Sequence, residues 1–221
     1  MRYTSITSDR KKTECFEINA ASPKRLQRTR HKHASWFKLR GRAAETQRSV
    51  FGNYNHMSCE AFRVLVIGYR IDANSQSRYL LFKRSDLDVW QWIAGGSQDD
   101  EEPEQTARRE AHEEAGIPED SRLIRLDSVA SIPAIHFADH QLWGTDVYVI
   151  PEYSFGMELK NEEVQLSGEH SECAWLDYET ALNRLEWDSN KTALWELHSR
   201  LSAQHAEQIG PKRGGPLSQL D

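Results

Sequence analysis

The sequence predicts an α/β or α+β fold, in which a mixed β-sheet and helices pack as a sandwich. Residues 61–71 are rich in β-branched and apolar side chains, which predicts a strand. The pattern changes to a helical one between Pro103 and Ala115. Leucines three and four residues apart, after a capping residue at Ser189 or Asn190, predict a last helix with one apolar face.

The remaining elements follow from the same periodicities. Further strands are expected at 77–85, 87–95, 122–132, 144–152 and 171–178. Asp177 is placed to cap a short helix at 178–185. In the first helix, Pro103 suits the first helical position and Gly116 suits the C-terminal stop.

Charge divides the chain into a basic start and an acidic body. Residues 1–50 hold 13 Lys and Arg against 4 Asp and Glu, whereas the net charge of the whole chain is -6. The acidic body argues against nucleic-acid binding. Residues 1–56 lack sustained hydrophobic periodicity, so we expect a disordered leader there, with Met57 as an alternative start of translation. The expected catalytic domain spans 57–203, and a flexible tail spans 204–221.

No apolar run is long enough to span a bilayer, and the N-terminus shows no signal-peptide core. Cys15, Cys59 and Cys173 lie far apart without a CxxC pair, which favours reduced thiols. We therefore expect a cytoplasmic protein without membrane partners.

Three carboxylates in the first helix share one face. Glu110, Glu113 and Glu114 are three and four residues apart, so their charges repel if they are left bare. A hard divalent cation would relieve this repulsion, and Mg²⁺ binds through carboxylates together with substrate phosphates. Without further evidence, a solvated acidic helix face would be an equally good interpretation.

The intervals around these carboxylates resemble a known signature. The residues at those intervals are Gly95, Glu101, Arg109, Glu110, Ala111, Glu113, Glu114, Gly116 and Ile117. Their spacing resembles that of the Nudix hydrolases: glycine, five residues, glutamate, seven residues, then REUxEExGU, in which U is aliphatic. Ala111 stands where a larger aliphatic residue is more usual.

The resemblance implies an α/β/α sandwich with a mixed sheet and a metal-dependent hydrolase site. It implies that Glu110, Glu113 and Glu114 bind Mg²⁺, for which Mn²⁺ can substitute, and that the carbonyl of Gly95 adds a ligand. Arg109 would pair with Glu101. Glu101 and Gly116 would thus be structural.

A longer resemblance points to one branch of the family. WQWIAGGSQDDE and GEHSECAWLDYETALNRLEWDSNKTALWEL resemble segments of bacterial dihydroneopterin triphosphate pyrophosphatases, which also act on dATP-type nucleotides. This implies that Glu169, before a histidine, binds metal or acts as the base. The predicted catalytic residues are therefore Arg109, Glu113, Glu114 and Glu169.

The implied substrate is a small phosphorylated molecule, a nucleoside or pterin triphosphate, cleaved to a monophosphate and pyrophosphate. Arg84 is a candidate for phosphate contact, and Trp90, Gln91 and His136 are candidates for contact with the base or pterin. For each of these four residues, packing or simple solvation is the alternative.

Other functions stay open at this point. Dinucleoside polyphosphates or ADP-ribose are alternative substrates, and a regulatory nucleotide-binding module without turnover is an alternative class. Regulatory modules tend to lose the glutamates that this chain keeps, which favours an enzyme. The chain is expected to be a monomer or a homodimer.

Overall fold

The computed structural model describes residues 12–18, 61–137, 140–160 and 163–209 of the chain. These residues form ten strands and three α-helices. The strands are β1 (Lys12–Glu14), β2 (Phe16–Ile18), β3 (Arg63–Ile71), β4 (Ser77–Arg84), β5 (Trp90–Gln91), β6 (Ile93–Gly96), β7 (Leu123–Pro133), β8 (Val149–Glu158), β9 (Glu163–Gln165) and β10 (His170–Leu176). The helices are α1 (Pro103–Ala115), α2 (Tyr178–Arg184) and α3 (Asp188–Ile209).

The main sheet is mixed. Its strand order is β2-β10-β4-β3-β8-β7, with β5 beside β4 and β6 beside β3. The pairs β3–β8 and β10–β2 are parallel, and the other pairs are antiparallel. β1 and β9 form a separate antiparallel pair.

Each face of the sheet carries its own apolar core. On one face α1 presents Ala107, Ala111 and Ala115, all buried against strand residues. Their small side chains let the helix lie close to the sheet. On the other face the leucines of α3 pack beside α2. Helices on both faces of a mixed sheet confirm the predicted α/β/α sandwich.

Both ends of α1 are fixed by local chemistry. The side-chain oxygen of Gln105 accepts the backbone N–H of Glu102 at 2.8 Å, and Pro103 occupies the first turn. Gly116 ends the helix with φ 66°, a left-handed conformation that favours glycine. The bounds predicted for this helix agree with the structure.

Glu196 of α3 binds the backbone of a bulge in β7. The register of β7 shifts between Arg125 and Val129, and the Glu196 carboxylate accepts the backbone N–H groups of Asp127 and Ser128 at 2.7 and 2.8 Å. Burial alone would raise the pKa of Glu196, but these hydrogen bonds, the Ser128 hydroxyl and Arg200 together lower it.

Two predicted strands differ from the structure by three residues or more at one end. The strand expected at 87–95 is divided into β5, which pairs with β4, and β6, which pairs with β3. Trp92, between them, is in neither pairing, and its side chain is fully buried. The strand expected at 144–152 begins at Val149 and continues to Glu158, because its second part pairs in parallel with residues 63–69 of β3.

The expected disordered leader is corrected for residues 12–18. β1 pairs with β9, β2 pairs with β10, and Cys15 forms a disulfide with Cys173. The expectation of reduced thiols is therefore wrong for these two cysteines. They are 158 residues apart in sequence, and the pairing of β1 with β9 and of β2 with β10 accompanies their contact. The rest of the leader lies outside the described residues.

The C-terminal helix is longer than expected, since α3 continues to Ile209, inside the segment assigned to the tail. Residues 210–221 lie outside the described part of the chain. The domain limits as a whole stay a prediction. None of the described helices is long and apolar enough to cross a membrane.

Candidate active site

The site is built where the loop after β6 meets α1. Arg109 holds Glu101 with two hydrogen bonds, Nε to Oε1 at 2.7 Å and Nη2 to Oε2 at 2.9 Å. Nη2 also donates to the Gly96 carbonyl at 2.9 Å. The hydrogen bond from Arg109 is the main cause that lowers the pKa of Glu101. This pairing fastens the loop to the helix, as a structural role for Glu101 requires.

Gly95 and Glu110 touch so closely that a side chain at residue 95 would displace the Glu110 carboxylate. A Cβ placed on Gly95 would lie 1.9 Å from Cδ of Glu110 and 2.0 Å from its Oε1. Burial raises the pKa of Glu110, and the charges of Glu114 and Glu113 raise it further, against the lowering effect of Arg109. Arg109 Nη1 donates to Glu110 Oε1 at 2.8 Å. A carboxylate is therefore held against bare backbone.

Glu114 is the buried member of the acidic cluster. Its Oε2 lies 2.6 Å from Nε2 of His170, and the side chains are 6% and 1% exposed. Burial is the largest cause that raises the pKa of Glu114; the hydrogen bond to His170 and one from the backbone of Ala94 act in the opposite direction. The charge of Glu169 raises this pKa as well.

Glu113 and Glu169 are the exposed carboxylates of this region. Oε2 of Glu113 lies 3.3 Å from Nη1 of Arg109. The guanidinium of Arg109 thus contacts three glutamates, Glu101, Glu110 and Glu113. The backbone carbonyl of Glu169 accepts the N–H of Ser85 at 2.8 Å, which fixes the loop before β10 to the end of β4. The carboxylate of Glu169 is left in solvent, close enough to Glu114 for their charges to interact.

Arg84 lies beside the same carboxylates. It pairs with Asp86 through two hydrogen bonds of 2.7 and 2.6 Å, and hydrogen bonding to Asp86 is the main cause that raises the pKa of Arg84. The charges of Glu169 and Glu114 contribute to the same shift. The structure thus brings Arg84 near the acidic cluster, although Asp86 already binds its guanidinium.

The remaining candidates for substrate contact are Trp90, Gln91 and His136. Trp90 is half-buried, and the guanidinium of Arg184 lies 4.8 Å from its ring centroid. Gln91 pairs with Phe82 in the sheet. His136 is exposed in a 3-10 turn after β7. No hydrogen bond described for these three residues reaches α1, so their roles stay predictions.

The donor chemistry of the cluster fits a divalent metal ion. Within the described ranges, no group of three His, Cys, Asp or Glu side chains has the arrangement of a metal centre. Arg109 contacts Glu110 and Glu113, and His170 contacts Glu114. The carboxylate oxygens are hard donors of the kind Mg²⁺ takes. The absence of a side chain at Gly95 lets the Glu110 carboxylate lie directly against the backbone.

Sequence reasoning did not single out His170. It contacts Glu114, 56 positions away in sequence, and this proximity depends on the pairing of β10 with β4. The available signal was its place directly after Glu169 and directly before the strand predicted at 171–178.

Comparison with known proteins identifies the family of this fold and site. The model of the NUDIX domain matches residues 62–195, more than half of the chain. The chain therefore belongs to the Nudix family and is a Nudix hydrolase, which confirms the resemblance found in the sequence. Enzymes of this family generally use divalent metal ions and act on small phosphorylated substrates.

Individual relatives agree with this assignment. The chain is 30% identical over 135 residues to the dihydroneopterin triphosphate diphosphatase of Haemophilus influenzae, covering 59% of this chain and 83% of that protein. A structure from Listeria monocytogenes, described as a NUDIX hydrolase, is 44% identical with a TM-score of 0.58, covering 65% of this chain and 95% of that one. The dihydroneopterin triphosphate pyrophosphohydrolase of E. coli is 26% identical with a TM-score of 0.52, covering 63% of this chain and 95% of that one.

Proposed function

We propose that this Nudix hydrolase cleaves a nucleoside or pterin triphosphate, of the dihydroneopterin triphosphate type, to a monophosphate and pyrophosphate in the presence of Mg²⁺. The observation that carries the reaction is the contact of Glu110 with Gly95 beside the buried Glu114. The class of substrate is supported by the Haemophilus influenzae relative, most of whose length this chain matches.

Glu110, Glu113 and Glu114 would hold the metal, together with the carbonyl of Gly95. When bound, a divalent ion neutralises phosphate oxygens, lowers the pKa of a coordinated water and stabilises the leaving oxygens. The burial of Glu110 and Glu114 strengthens their attraction for a cation, because water screens a buried charge less than an exposed one.

The other residues have supporting tasks. Arg109 and Glu101 hold the loop so that the backbone at Gly95 keeps its place against the helix. The solvent-facing carboxylate of Glu169 is the candidate to accept the proton of the attacking water, within reach of the charge of Glu114. Arg84 would turn from Asp86 to a phosphate oxygen, since both are anionic partners of similar geometry. A cytoplasmic site of action stays a prediction.

The test is pyrophosphate release by the full chain, because residues 12–18 are part of the packed structure. The panel contains dihydroneopterin triphosphate, the eight common nucleotides, 8-oxo-dGTP, ADP-ribose and a diadenosine polyphosphate, each with Mg²⁺. We expect turnover of a triphosphate and loss of at least about 100-fold in Glu114→Gln.

The matched control is Glu104→Gln, which makes the same chemical change at an exposed position of the same helix. It should keep wild-type turnover. Equal rates for the Glu114→Gln variant and the wild type would refute the metal assignment. Nucleotide binding without any turnover would favour the regulatory alternative.

A further inference from the structure

We propose that His170 is a positioning residue of this site, which holds the Glu114 carboxylate in one orientation through its Nε2–H group. The inference rests on the proposed function, because it assigns to Glu114 a part in binding the metal. It concerns a side chain that is 1% exposed and contacts the buried carboxylate directly.

The contact is short and joins two separate elements. Nε2 of His170 lies 2.6 Å from Oε2 of Glu114, which is the range of a charge-assisted hydrogen bond. Nearby, the backbone N–H of Ser167 donates to the carbonyl of Glu114 at 2.9 Å. The loop before β10 is thereby fastened to the end of α1 by a backbone hydrogen bond, and the first residue of β10 by a side-chain hydrogen bond.

The surroundings of the imidazole determine which nitrogen carries the hydrogen. The ring packs on Phe82, with centroids 4.9 Å apart and planes at 35°. Its Nδ1 is buried and has no hydrogen-bond partner among the described residues. A buried N–H without an acceptor is costlier than an unpaired acceptor, so the hydrogen belongs on Nε2. The ring then has one donor, and that donor points at Glu114.

A fixed carboxylate matters for a metal site. The hydrogen bond from His170 restrains the rotation of the Glu114 carboxyl group. Partners that orient metal-binding side chains typically change metal affinity or activity by about 10- to 100-fold when they are lost. His170 holds Glu114 without touching the substrate, which makes it a positioning residue and not a catalytic one.

Three substitutions separate positioning from simple packing. Gln carries its side-chain nitrogen as many bonds from Cβ as Nε2 of histidine, so His170→Gln keeps a donor for Glu114. In His170→Asn the donor is one bond shorter and does not reach. His170→Leu fills the space without any donor. A packing role would rank the variants by volume, whereas a positioning role ranks Gln far above Asn and Leu.

The control is His198→Leu on the opposite face of the sheet. His198 is a half-buried histidine, whose Nδ1 lies 2.8 Å from the Tyr79 hydroxyl and whose ring stacks on Tyr178 at 4.2 Å. Its loss should lower the melting temperature without changing the metal affinity.

The experiment measures Mn²⁺ binding by electron paramagnetic resonance without substrate, together with kcat and KM for the best triphosphate. We expect His170→Leu and His170→Asn to weaken Mn²⁺ binding and lower kcat by about 10- to 100-fold with little change in KM. His170→Gln should recover most of both losses. If the Leu variant does not fold, His170→Met, which is unbranched like Gln and of similar size but has no donor, takes its place in the comparison with Gln.

Equal Mn²⁺ affinity and kcat in the Gln and Asn variants would overturn the positioning role. So would wild-type values in His170→Leu. Failure of the proposed function has a different signature, because the wild-type chain itself would then neither bind Mn²⁺ nor release pyrophosphate.

Discussion

Replacing Gly95 by alanine should abolish most of the activity while leaving the fold almost intact. The new Cβ would lie 2.0 Å from Oε1 of Glu110, whereas ordinary contact begins at 3.4 Å. Cδ of the same carboxylate would lie 1.9 Å away, so the carboxylate must move by about 1.5 Å. A misplacement of about 1 Å in a catalytic group can cost about 100-fold in rate, so we expect kcat to fall by at least that factor, or about 2.7 kcal/mol in activation free energy.

The stability should change little, because the displaced atoms are the far end of a flexible side chain. The neighbouring Gly96→Ala is the matched control: its Cβ would meet only the Phe62 carbonyl, at 3.9 Å. The assay is steady-state pyrophosphate release at saturating Mg²⁺, with thermal unfolding of each variant. A Gly95→Ala enzyme with wild-type kcat, or an equal loss in Gly96→Ala, would refute the reasoning.

Three further predictions concern stability. Gly156→Ala would place a Cβ 2.6 Å from Leu197 Cδ1 under α3, which should destabilise by about 1–3 kcal/mol in urea unfolding; Leu197→Val should relieve part of that loss in a double-mutant cycle. Glu196→Ala leaves two N–H groups of the β7 bulge without their acceptor and should cost about 1–3 kcal/mol. The folded pKa of Glu196 is lowered, so its contribution to stability is present above the unfolded pKa of about 4.3 and is lost as pH falls through the folded pKa. A difference in melting temperature between wild type and Glu196→Ala that persisted at pH 2 would contradict this. Reduction of the Cys15–Cys173 disulfide should lower the unfolding free energy by up to about 5 kcal/mol, given the 158-residue separation, and Cys15→Ser should be insensitive to reductant.

The first helix shows why part of the fold was predictable from sequence. Its start, its end and its buried alanine face depend on residues within a few positions of one another, such as Pro103 and Gly116. The spacing of the carboxylates is likewise a feature of residues that are close together in the sequence. The alignment of Glu101 with Arg109 needs only one loop and two helical turns.

Features that depend on strand pairing could not be predicted in the same way. The contact of His170 with Glu114, the disulfide and the extent of β8 all require knowledge of which strands are neighbours. Periodicity reports which face of a strand is buried, but not which partner lies beside it. The division at Trp92 belongs to this group too, since its indole is buried against the α3 face.

Arg109 has a consequence for how the protein matures. Its single guanidinium contacts Glu101, Glu110 and Glu113, so the polypeptide carries its own counterion for the acidic cluster. The chain can therefore reach its final shape before it meets a metal ion, unlike small zinc domains that need the ion in order to fold. A chelator should therefore abolish the activity of this enzyme without unfolding it, and the newly synthesised protein can fold before it binds the ion.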